Sequence, residues 1–242
     1  MVVVAAVAAT ALVAAVPAGA ANECDGLQIC ISVPGPWVVV PDSTSANRAP
    51  VEYQLTCPRG HMVGGLDARL SVRAIDVQFL AKLGSPVNPG ISTNRSAVFR
   101  ATYVGTSDRA PTFKPFIGCM PASGGGTRVP TSVTAFRPGQ PVTRRVKTVR
   151  VRPGTTTVVQ RCIGGERLVG GSHAFAFDTR NPPSASLVSS VSGSEAIGSS
   201  GVVVRVRGDA EVAGARALVQ VHALCTRTVS YTHLTLPTNR EV

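Results

Sequence analysis

The sequence predicts an all-β protein of two tandem, homologous domains of β-sandwich or jelly-roll-like type. Three observations lead there. First, one frame occurs twice: an apolar-alternating run into Cys57, then Gly60, then Val63-Gly64-Gly65, returns as Cys162, Gly165 and Val169-Gly170-Gly171. Each copy closes on a second cysteine preceded by apolar residues, Cys119 and Cys225. A repeat of this length exceeds a solenoid unit and suits a whole domain. Second, short β-branched runs are punctuated by 24 Gly and 18 Pro, the rhythm of strands and turns. Third, no segment carries a long helical apolar period with caps; the best helical candidate is the short stretch 75–83.

Taken in order, residues 1–21 read as a secretory signal peptide. An Ala/Val run ends in small residues with cleavage expected after Ala20 or Ala21, although no basic residue precedes the run. The first domain spans 22–122 and opens with a short Cys24–Cys30 loop. Trp37-Val-Val-Val-Pro41 matches Val149-Arg-Val-Arg-Pro153, each the first strand of its module. The next strand enters Cys57 or Cys162. Gly60 and Gly165 then suit a tight turn, and the Gly64-Gly65 and Gly170-Gly171 pairs permit a bulge or a close backbone approach. Strands follow at 66–70 and 173–177, then at 97–104 and 202–207, and the closing strands reach Cys119 and Cys225. A Gly/Pro-rich linker covers 123–141, the second domain covers 142–228, and the Ser/Gly-rich stretch 184–201 is expected as an internal loop. Residues 229–242 resemble a translated transposon-end sequencing adaptor and are set aside as an artefact, which removes Tyr231 and His233 from the candidate site residues.

Composition bounds the function. Net charge is +11. No acid occurs from Arg109 to Gly165, while Arg144, Arg145, Lys147, Arg150 and Arg152 crowd one stretch. In 149–152 the period is two, so the valines face a core and the arginines face solvent. Such a patch attracts polyanions. For an exported chain these are an anionic cell-wall polymer, polysaccharide or lipid headgroups. Nucleic acid is not expected in an exported protein without an aromatic-rich binding motif, nor is stable membrane insertion after signal cleavage.

Six cysteines in an exported chain point to disulfides. If each domain is self-contained, Cys57 pairs with Cys119 and Cys162 with Cys225, leaving Cys24 with Cys30. A metal site is a poor reading, because no Cys-x-x-Cys occurs and His61, His173 and His222 lack ligand spacing. No cofactor is expected.

Catalytic motifs are wanting. Gly170-Gly-Ser172-His-Ala174 comes nearest a nucleophile elbow, but its last position is Ala, and adjacent strand residues point to opposite faces. Asp67, Asp76, Asp178 and Glu195 are the acids that a glycosidase-like pair would draw on. Trp37, the single tryptophan, heads an apolar run and is expected in a core or capping role rather than on a sugar platform.

The frame Cys57-Pro58-Arg59-Gly60 with Val63-Gly64-Gly65, closing at 219–225, resembles modules of uncharacterised secreted proteins of actinobacteria and related high-GC bacteria. The second copy has Ile163 in place of the Pro. The resemblance implies export, a β fold and disulfides, and it carries over no catalytic residue. The expected function is an exported, non-enzymatic binding or structural protein of the cell envelope. The alternative is a secreted hydrolase with its site in the loops 83–92 and 181–200.

Overall fold

The computed structural model describes residues 22–41, 49–80, 91–93, 95–106, 110–122 and 142–227. The expected signal segment 1–21, linker 123–141 and tail 229–242 lie outside the described residues, as does nearly all of the loop 83–92.

The fold is all-β, and every strand pair is antiparallel. The first half holds β1 (Ile31–Pro34), β2 (Trp37–Val39), β3 (Val51–Thr56), β4 (His61–Leu70), β5 (Ile75–Leu80), β6 (Ile91–Thr93), β7 (Ser96–Tyr103) and β8 (Thr112–Pro121). The second half holds β9 (Val142–Arg150), β10 (Gly154–Arg161), β11 (Glu166–Phe177), helix α1 (Ala185–Ser189), β12 (Val191–Ile197), β13 (Gly201–Gly208) and β14 (Ala217–Arg227).

The same pairing scheme appears in both halves. In the first, β3-β7-β5 form a small sheet while β8 lies between β4 and the broken strand β1/β2. In the second, β10-β13-β12 form the small sheet while β14 lies between β11 and β9. The two larger sheets are joined. Val38 of β2 is paired with Phe113 on one side and Ala176 on the other, so one seven-stranded sheet runs through both halves.

Alternate residues of this shared sheet supply different cores, because successive strand side chains point to opposite faces. Ala174 and Ala176 of β11 pack with Val38, Phe113, Ile117 and Tyr53. Phe177 packs instead with Val204, Val219 and Val221. The two small sheets therefore cover opposite faces of the large one. Trp37 is 1% exposed at the joint, with the Lys114 ammonium 5.9 Å from its ring centroid. That places it in packing and not on an open sugar platform.

Gly60 (φ +78°) and Gly165 (φ +79°) occupy the left-handed region in the turns after the first cysteines, where a side chain would be strained. Both following strands are bulged, between Val63 and Gly65 in β4 and between Leu168 and Gly170 in β11. The register thus aligns Val63 with Leu168 and Gly65 with Gly170, one residue away from the match of the two Val-Gly-Gly triplets. The opening strands shift likewise. Val38 pairs with Phe113 and Val149 with Val219, six residues before the respective second cysteines. Burial explains the shift, since Val40 and Val151 are the inward residues that follow.

Two segments differ from expectation. Residues 75–80 form a strand and not a helix, with Ile75, Val77 and Phe79 at period two. The stretch 184–201 is not merely a loop: Ser184 Oγ caps α1 by accepting from Leu187 N–H at 3.2 Å, and β12 follows.

Candidate functional site

All six cysteines are bridged, as Cys24–Cys30, Cys57–Cys119 and Cys162–Cys225. Three disulfides indicate an oxidising, extracytoplasmic environment. Among the described residues no helix is long and apolar enough to cross a membrane. Cys162, Glu166 and Cys225 bring ligand-type atoms within 4.8 Å of one another. Both sulfurs are spent in the disulfide, however, and a metal needs thiolates.

The basic stretch of β9 divides between two faces. Arg144 turns toward the first half, where it donates to Glu52 at 2.5 Å and to His222 Nδ1 at 2.8 Å. Arg145 turns the other way and forms a bidentate pair with Glu166, both bonds 2.8 Å long. The Arg145 hydrogen bond holds the Glu166 carboxyl below the usual range. Lys147, Arg150 and Arg152 are exposed, and Val149 and Val151 face the second core. The sequence shows the cations of this stretch but not their carboxylate partners, which lie 92 and 21 residues away.

Arg144 begins a buried polar network that the sequence reading missed. His222, fully buried on β14, accepts from Arg144 at Nδ1 and donates from Nε2 to Gln220 Oε1 at 2.8 Å. Burial, with the Arg144 charge adding to it, pushes the His222 pKa down to about 3, so the ring is neutral. Gln220 in turn bonds the backbone of Gln54 and Thr148 Oγ1. Both ring nitrogens of His222 and both amide atoms of Gln220 are engaged within the protein, and the two residues are buried; their chemistry is that of a structural lock. Two polar residues, Gln220 and His222, in the otherwise apolar run 217–225 were its one sequence signal.

His173 Nδ1 lies 2.7 Å from Glu195 Oε2, joining β11 to β12 beside Phe175. Ser172 is on the opposite face of the strand from His173 and stands beside His222, whose two ring nitrogens are taken by Arg144 and Gln220, so neither histidine forms a dyad with it. The other acids are dispersed. Asp67 accepts from Asn22 N–H at 2.7 Å, Asp76 from Gln78 at 3.1 Å and Asp178 from Arg216 at 2.9 Å. Helix α1 borders an apolar groove of about 490 Å³ at the joint, lined by Val39, Pro41, Pro111, Ala185 and Val188 and, among the described residues, by no titratable side chain.

A second open cationic surface lies on the small sheet of the second half. Arg205 and Arg207 of β13 are exposed beside Thr155, Ser192 and Ser194, around a depression of about 310 Å³. Sequence alternation in 202–207 puts these arginines outside; it does not show what stands next to them.

No protein-family model, curated protein or solved structure matches the chain.

Proposed function

We propose that this chain is an exported, non-enzymatic protein of the bacterial cell envelope that binds an anionic wall polymer or polysaccharide through its basic surface. The observation that carries the reading is the set of open cations on a disulfide-locked scaffold: Lys147, Arg150, Arg152, Arg205 and Arg207 are all exposed. The charge of +11 adds long-range attraction to any polyanion. A small β scaffold with three bridges suits an environment where thiols are oxidised.

The secreted hydrolase is supported only by the His173–Glu195 pair, which resembles the orienting half of a catalytic constellation. Ser172, the hydroxyl next to His173 in sequence, points to the opposite face of the strand.

The test is fractionation of the producing cells. The protein should be found in the wall fraction and be released by high salt without detergent. Free protein in the medium at low salt, with none on the wall, contradicts the proposal.

A further inference from the structure

The small sheet β10-β13-β12 turns one face to the second core and the other to solvent. Val202, Val204 and Val206 of β13 are buried, and Arg205 and Arg207 alternate with them on the open side. The register sets a hydroxyl on each side of each arginine. Thr157 and Ser194 flank Arg205, and Thr155 and Ser192 flank Arg207; all six residues are exposed. Arg205 has no ion pair among the described residues. Arg207 reaches only Asp209, at 3.9 Å, with both side chains largely exposed. The surface continues toward β9, since the Arg152 carbonyl would lie 2.7 Å from a Cβ placed on Gly208.

The first half carries the same sheet with different chemistry. Counted back from Cys57 and Cys162, Glu52 corresponds to Thr157, and the strand pairing then places Arg100 with Arg205 and Asp76 with Ser192. Arg100 stands directly opposite Glu52, and Asp76 opposite Thr102. The Glu52 carboxylate goes to Arg144, but both acids lie on this face of the first small sheet and lower its net positive charge. In the second half both acidic positions hold hydroxyls, and the cations are left open.

An arginine between two hydroxyls offers a planar fork of N–H donors with O–H donors beside it, which suits the oxygens of a tetrahedral anion. Arg205 and Arg207 are two residues apart on one strand, so these units repeat about every 6.7 Å. We infer that the solvent face of β10-β13-β12 binds a linear polymer carrying tetrahedral oxyanions, phosphodiester or sulfate ester, at about that spacing. This rests on the proposed anionic-polymer reading and assigns it to β13 in preference to β9.

The test is calorimetric titration of the disulfide-intact protein with poly(glycerol phosphate) and, separately, with dextran sulfate. Binding to one polymer alone identifies the anion source. The R205S/R207S variant should bind at least about tenfold more weakly. So should T157E/S192D, which installs the acids of the first half and retains both arginines. K147S/R150S, which removes two cations of the wider basic surface, should weaken binding clearly less than R205S/R207S does. Near-ultraviolet circular dichroism confirms that each variant is folded. Wild-type binding that survives R205S/R207S but falls in K147S/R150S overturns the assignment to this face and leaves the polymer reading standing. Equal losses in all three variants mark diffuse attraction and also overturn it. A wild-type protein that binds neither polymer overturns both.

Discussion

Gln220 and Gln54, 166 residues apart, exchange two hydrogen bonds across the two halves. Gln220 Oε1 accepts from Gln54 N–H at 2.7 Å, and its Nε2 donates to Gln54 O at 3.2 Å. Strand β3 is the edge of its small sheet, and the Gln220 amide serves its open backbone as a one-residue strand. The halves are thus joined by this amide as well as by the Val38 pairing.

Replacing Gln220 with Ala leaves the part-buried Gln54 backbone and the buried His222 Nε2–H without these partners. The expected cost is about 2–4 kcal/mol in urea unfolding under non-reducing conditions. An unchanged midpoint would show that water or a shifted side chain serves these groups instead.

The buried histidine makes stability depend on pH. Its folded-state pKa is about 3, against an ordinary 6.5. Between those values the unfolded chain takes up a proton that the folded chain refuses, so stability is greatest above about pH 6.5 and falls as pH is lowered. The slope from this one group approaches about 1.4 kcal/mol per pH unit within the window. His222→Gln should flatten the melting-temperature profile between about pH 6.5 and 5, above the range where carboxylates titrate. A profile equally steep in the variant places the acid sensitivity elsewhere.

The bridges should differ in worth. Cys57–Cys119 and Cys162–Cys225 span 62 and 63 residues, whereas Cys24–Cys30 spans 6. Loop-closure entropy then gives each long bridge about 4 kcal/mol and the short one about 2 kcal/mol. Paired Cys→Ala variants should show that order in denaturant midpoints, and non-reducing peptide maps should return the three pairs. A Cys57–Cys162 peptide would contradict the pairing.

Trp37 fills the joint with a side chain 1% exposed, and its indole N–H has no acceptor among the described residues. Trp37→Ala should cost about 3–5 kcal/mol, mostly from the cavity left behind. Trp37→Phe should recover most of that loss, because it restores ring volume and removes an unpaired donor. If the Phe variant is as unstable as the Ala variant, packing is not the role of this residue.

Local chemistry was legible in the sequence, and long-range pairing was not. Gly60 and Gly165 announce their turns because only glycine takes that backbone conformation without strain. Alternation in 149–152 and 202–207 separates core valines from outward arginines. By contrast, nothing near Trp37 says that its strand will pair with Phe177 as well as Phe113. The same holds for Arg144 and Arg145, whose carboxylate partners come from β3 and the start of β11. Strand β12 was hidden because Ser192, Gly193 and Ser194 look like loop residues; they are a strand because Val191, Glu195 and the β13 backbone hold them in register. Repeat alignment by motif erred by one residue at the Val-Gly-Gly triplets and at the opening strands, because the register follows the spacing from the cysteines and not the matching letters.

Attraction between open cations and a polyanion is the property on which the proposed role stands, and salt is its most direct probe. Charges on a solvated face interact over about 8 Å at physiological ionic strength, and over much less at molar salt. Affinity of the wild-type protein for poly(glycerol phosphate), measured from about 50 mM to 1 M NaCl, should fall steeply and continuously. Absence of binding at the lowest salt, or binding that salt leaves unchanged, would contradict the account.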